Sequence, residues 1–181
     1  VILMGLPPDL KGNGMKYVSG LVRAVADHHS IPVALHLDHA TELPLVQAAI
    51  DHGFTSVMVD GSSLPFAENV AFTRKAADMA HRFGISVEGE LGHVGGMDLE
   101  AESCGENVLT EPEEVERFVA ESTVDALAVS IGTSHGVYKS LANLAIDRLQ
   151  QLNAVSKVPL VLHGGSGTPV DQIRAAVKHG I

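Results

Sequence analysis

"IPVALHLDHA", residues 31–40, decides how this chain is read. Residues 31–37 are apolar apart from His36 and read as a buried strand. The stretch then finishes in Asp38-His39, with His36 only two residues back. Burial alone does not call for a carboxylate and an imidazole there. A metal or proton-transfer site does.

Working outward, similar runs recur at 1–6, 56–59, 85–87, 126–131 and 158–162. They are short and nearly continuous in apolar residues, the pattern of parallel strands covered on both faces. Helical patterns lie between them. In 66–83, Phe66, Val70, Ala77, Ala80 and Phe83 fall near one face, and Gly84 stands where a helix stop is expected. Thr110 with Glu113 has the form of a capping box, and Pro112 suits a first turn. Thr168-Pro169-Val170-Asp171 repeats that signature before a helix at 170–179.

Strand–helix alternation implies right-handed crossovers and a parallel α/β sheet. An open doubly wound sheet and a TIM (β/α)8 barrel both fit. No GxGxxG follows a strand in the way a dinucleotide site requires. Six units are visible, whereas a TIM barrel has eight and about 250 residues. As a barrel, residues 1–181 form a single incomplete catalytic domain, lacking the first strand with its helix and the last strand onward. The chain opens directly in an apolar run at Val1 and stops just after a helix at Ile181, so both ends read as cut.

Composition narrows the partners. With 45% hydrophobic residues in 181, a large core is possible, built mostly from Ala, Val, Leu and Ile, since aromatics are 4% and Trp is absent. A net charge of −10 argues against a nucleic-acid or anionic-membrane partner. A small anionic substrate stays open, because a few local groups can hold it. Cys104 is the sole cysteine, so no intrachain disulfide can form and a reducing, cytoplasmic compartment is expected. Cys104 has no base beside it and receives no role. No apolar run approaches the 18 residues of a membrane span, and no signal peptide is visible.

Three histidines share one placement. His39 follows the run 31–37, His135 lies in "SIGTSHG" after 126–131, and His163 lies in "LVLHGG" after 158–162. C-terminal strand ends converge on the active face of α/β folds. Three neutral imidazoles with an open fourth position make a catalytic zinc site. His36 shares a strand face with Asp38 and reads as a buried, hydrogen-bonded residue rather than a ligand. Asp38 suits either proton transfer or the orientation of a ligand imidazole.

Asp60 in "MVDGSS" and Glu90 in "VEGELG" also end strands and suit a second or displaced metal position; hydrogen bonding to nearby loops is the plainer alternative. Gly136 and Gly164-Gly165 leave backbone N–H groups open to an anion, and Ser166 adds a hydroxyl. Lys139 is either a phosphate-pairing cation or a solvated loop residue. The longest gap between strands, 88–124, contains the polar, glycine-rich segment "GELGHVGGMDLEAESCGEN", which reads as a mobile loop over a site. His93 lies on it without a role, and His28, His29, His52, His81 and His179 read as surface residues.

Together, "ALHLDHA", "MVDGSSLPFAENVAFTRKAADMAHRFG", "VEGELGHVGG", "SIGTSHGVYK" and "LVLHGGSG" resemble the class II, zinc-dependent ketose-bisphosphate aldolases, in order and over essentially the whole chain. The resemblance implies a TIM barrel, usually in a homodimer or higher homo-oligomer. It implies reversible cleavage of fructose or tagatose 1,6-bisphosphate to dihydroxyacetone phosphate and glyceraldehyde 3-phosphate, with zinc stabilising the enediolate. Asp38 would be the acid/base, His39, His135 and His163 the zinc ligands, and Asp60 and Glu90 ligands of a second divalent ion. Gly136, Lys139, Gly164 and Ser166 match positions around a substrate phosphate, and the carbonyls of Gly136 and Gly164 match positions that hold a monovalent cation. Asp98 is the nearest match to the family's loop base. The family's first strand, and its eighth with an Asn/Asp-Thr type segment, have no counterpart. A zinc hydrolase on the same three histidines and a non-catalytic barrel subunit are the competing readings.

Overall fold

The computed structural model describes residues 1–95, 107–136 and 143–181. Six strands alternate with helices: β1 (Ile2–Gly5), α1 (Gly14–Ala26), β2 (Ala34–Ala40), α2 (Leu43–Asp51), β3 (Ser56–Val59), α3 (Phe66–Ala80), β4 (Ser86–Leu91), α4 (Pro112–Ser122), β5 (Ala126–Val129), α5 (Ile146–Val155), β6 (Leu160–Val161) and α6 (Val170–His179). All five strand pairings are parallel, and spatial order follows chain order from β1 to β6. An open doubly wound sheet would reverse direction partway. This sheet never does, so it winds one way, as a half-barrel.

The two faces of the sheet differ, which the sequence reading did not anticipate. One face carries Leu35, Leu37, Val57, Val59, Val87, Leu127 and Val129, all buried in one cluster with Ala49, Phe54, Ala76, Ala77, Phe118, Leu149 and Leu152. The other, concave face carries Ala34, His36, Asp38, Ser56, Glu88 and Ala126 around a cavity. The strands are therefore polar inward as well as apolar outward, and several run further than their apolar residues suggest. β4 extends through Glu88-Gly89-Glu90 to Leu91. Between those acids, Gly89 faces the helices; a Cβ there would meet Thr73, Val124 and Phe118 at 3.0–3.2 Å.

β2 begins at Ala34, whose N–H donates to the Val1 carbonyl at 2.8 Å. The helix stop at Gly84 is as expected: a 3-10 turn, His81–Phe83, follows α3, and Gly84 has φ 69°. Neither capping signature forms a side-chain cap. Glu111 and Pro169 precede α4 and α6. Thr110 Oγ1 is committed elsewhere, donating to the Leu91 carbonyl (2.5 Å) and accepting from Ser130 N–H (2.8 Å), which ties β4 to the loop after β5. Of the long loop, His93 and Val108 pair as an antiparallel bridge; Asp98 and Cys104 lie outside the described residues. Among the described residues no helix is long and apolar enough to cross a membrane.

Candidate metal centre

The ladder between β2 and β3 breaks where the polar pair begins. Leu37 pairs Val57, but Ala40 pairs Val59, so β2 carries one extra residue in between. His39 has φ 49°, a conformation few residues other than glycine adopt. Strict alternation would send Asp38 inward and His39 outward to the helices. The bulge turns His39 back, so both neighbours serve the concave side. The sequence reading, which ended the strand at residue 37, had no means of seeing this.

His39, His135 and His163 converge, as the sequence suggested. Each offers a ring nitrogen, and these atoms lie within 4.8 Å of one another. The rings stand edge to face, with centroids 4.7–6.0 Å apart. His39 Nε2 is 3.0 Å from His163 Nδ1. His39 Nδ1 faces Asp60 Oδ2 at 3.0 Å, and Asp60 Oδ1 accepts from Ser62 N–H and Oγ–H. His163 Nε2 faces Glu88 Oε1 at 2.8 Å. Close approach of the β5 and β6 loops places two of the rings: Gly164 has φ 70°, and a Cβ there would lie 2.6 Å from the Ser134 backbone. Only glycine fits.

His39, Asp60 and Glu90 form a second set within the same 4.8 Å limit. Glu90 Oε1 accepts from Val94 N–H at 3.2 Å. Its Oε2 is buried with no hydrogen-bond partner among the described residues and lies 3.9 Å from His39 Nδ1. His36 is the buried, bonded residue expected, with Nδ1 2.7 Å from Ser56 Oγ. Its Nε2 lies 3.7 Å from Asp38 Oδ1, which is also buried and without a partner among the described residues. Asp38, His135 and His163 border one cavity of about 610 Å³, together with Gly136, Gly164, Gly165 and Ser166. Lys139 lies outside the described residues. Sequence reasoning missed Glu88, Ser62 and Ser56. For Glu88 a signal existed, since it shares the strand face of Glu90.

Electrostatics follow from this crowding. Burial penalises ionisation of Asp38, but His36, His39 and His163 outweigh it and hold its carboxyl below the usual range. Burial likewise disfavours charge on His39, yet Asp60, Asp38 and Glu90 prevail and lift its pKa to about 9. Asp60 is held low by His39 and Ser62 despite its burial. Glu90 is raised to about 7 by burial and by the charge of Asp60. A raised pKa contributes stability that is complete below the unfolded-state value and lost as pH climbs through the folded one. For His39 the window runs from 6.5 to about 9. Metal-free protein should therefore melt progressively lower between pH 6.5 and 9, by on the order of 2–3 kcal/mol in stability. Asp60→Asn should flatten that limb; a slope identical to the parent's in melting curves across this range would disprove the pairing.

The donor set suits a divalent transition ion. Zinc–nitrogen bonds of about 2.0–2.1 Å in a tetrahedron put ligand nitrogens about 3.3 Å apart, near the separation of His39 Nε2 and His163 Nδ1. The opposite nitrogens of His39 and His163 rest on Asp60 and Glu88, an arrangement that supports metal-ligating histidines.

The family model described as class II fructose-bisphosphate aldolase matches residues 1–181. A fructose-bisphosphate aldolase of Giardia intestinalis is 44% identical over 185 residues, covering 99% of this chain. The chain spans 57% of that relative's length. Among solved structures, the YdjI aldolase of Escherichia coli K12 superposes over the whole chain with a TM-score of 0.87 and 32% identity, and 63% of it is covered. The fructose-bisphosphate aldolase of Campylobacter jejuni superposes likewise with a TM-score of 0.79 and 25% identity, and 62% of it is covered.

Proposed function

Since the chain belongs to the class II fructose-bisphosphate aldolase family, we propose that its parent protein cleaves fructose or tagatose 1,6-bisphosphate reversibly to dihydroxyacetone phosphate and glyceraldehyde 3-phosphate. One observation carries this reading: Asp38 and the His135–His163 pair border the same cavity as Gly164-Gly165-Ser166. Acid/base, metal donors and a glycine-rich anion cradle thus face one substrate-sized space.

His39, His135 and His163 would hold the ion. When bound, a divalent cation supplies Lewis-acid polarisation of the substrate ketone. The rest falls to the chain. Asp38 accepts the C4-hydroxyl proton as the C3–C4 bond breaks, and returns it in condensation. The bond electrons pass to the ketone fragment and the C4 aldehyde departs. C3 of the ketone fragment then needs a proton; on the family resemblance Asp98 supplies it. Gly136, Gly164 and Ser166 would hold a phosphate through N–H and O–H donors, fixing the reacting carbons relative to Asp38. Lys139 would add charge. Asp60 and Glu90, with His39, offer a second position for a divalent ion.

The test is cleavage of both bisphosphates by the full-length protein, with and without chelator. Chelator-sensitive release of dihydroxyacetone phosphate is expected, and the ratio of rates identifies the preferred epimer. Cleavage that persists undiminished in metal-free protein would overturn the reading.

A further inference from the structure

Glu88 and Glu90 sit two apart on β4 and face the same side of the sheet, yet their situations differ. Glu90 Oε2 has no hydrogen-bond partner among the described residues. Glu88 is bonded at the cavity wall: Oε1 accepts from His163 Nε2 at 2.8 Å, and Oε2 lies 4.0 Å from His36 Nε2. We infer that Glu88 is a positioning residue, which sets the tautomer and ring orientation of His163 so that Nδ1 is its metal-facing atom. The inference rests on the metal-centre reading above.

The physical case is as follows. A neutral imidazole carries one N–H, and the partner of one nitrogen decides what the other can do. An acceptor-only carboxylate on Nε2 keeps the proton there and leaves Nδ1 unprotonated, its lone pair aimed at His39 Nε2 3.0 Å away. Without Glu88, a half-turn of the ring about Cβ–Cγ exchanges the edges it presents, and either nitrogen can carry the proton. Asp60 does the corresponding work for His39, but on Nδ1. The two ligands are thus braced through opposite nitrogens, His39 presenting Nε2 and His163 presenting Nδ1. By contrast, the His81–Asp125 pair on the other rim of the sheet joins half-exposed groups and belongs to neither donor set found among the described residues.

The experiment uses the full-length protein stripped of metal and titrated with cobalt(II). Glu88→Ala should weaken cobalt binding about 10–100-fold, the usual effect of losing such a partner. Glu88→Gln keeps an oxygen acceptor for Nε2–H and should fall closer to the parent. Long-range 1H–15N spectra of histidine-labelled, metal-free protein, at a pH where His163 is neutral, should show its proton on Nε2 in the parent and Glu88→Gln. Glu88→Ala should show a tautomer mixture. Parent-like cobalt affinity in Glu88→Ala, or an unchanged tautomer there, would overturn the inference; a stability loss alone leaves neither readout as expected. If the parent bound no cobalt, the metal-centre reading would fail, and the tautomer spectra would still decide what Glu88 does.

Discussion

Asp38→Asn in the full-length protein should lower kcat by about 10²–10⁴ while metal content stays at the parent level. Asparagine keeps the shape of the side chain but cannot take a proton from a substrate hydroxyl. The size of the effect follows from the site. Asp38 Oδ1 is buried without a hydrogen-bond partner among the described residues, and His36 lies just beyond bonding distance. Of the other carboxylates there, Asp60 is bonded to His39 and Ser62 and Glu88 to His163, while Glu90, which also has an unpartnered oxygen among the described residues, does not line the cavity that Asp38 borders. Substrate affinity should change little, since the glycines proposed to hold the phosphate are untouched. Steady-state kinetics with metal analysis decide the matter, and turnover near the parent's would remove Asp38 from the mechanism.

The second large effect is expected at His39. His39→Ala should weaken zinc or cobalt binding by more than about 100-fold, beyond the loss typical of an outer partner, and abolish chelator-sensitive turnover. It removes the ring shared by both donor sets, His39-His135-His163 and His39-Asp60-Glu90. It also strands Asp60, whose low pKa depends on His39. The metal-free variant should consequently lose the stability that the parent gains below pH 9. A parent-like cobalt titration in this variant would show that the ion is held without His39.

Much of this was legible beforehand, for identifiable reasons. β3 was read at its observed bounds, because "TSVMVD" is an apolar run between polar residues. The convergence of His39, His135 and His163 was legible because each follows a strand, and parallel strands end on one side. What escaped has physical causes too. Glu88 was overlooked because its neighbours made the strand seem to end before it. The Thr110 capping box failed because a hydroxyl serves whichever partners tertiary packing offers, and Leu91 and Ser130 lay nearer. The bulge at Asp38-His39 has no signature in residue type; it exists only as a register shift between two strands. Beside the phosphate role proposed for Gly164 stands one that sequence does not reveal, the close approach to the Ser134 backbone.

That bulge has a consequence for how the site can vary. Consecutive Cα atoms are 3.8 Å apart whatever the side chains. Because Asp38 and His39 are sequence neighbours that both face the cluster, the peptide bond between them acts as a fixed-length ruler from acid/base to metal ligand. Loops around the cavity can drift, lengthen or be exchanged without altering that interval. A single-residue insertion between Asp38 and His39 would destroy it, and with it the spacing between the proposed proton carrier and the proposed metal ligand.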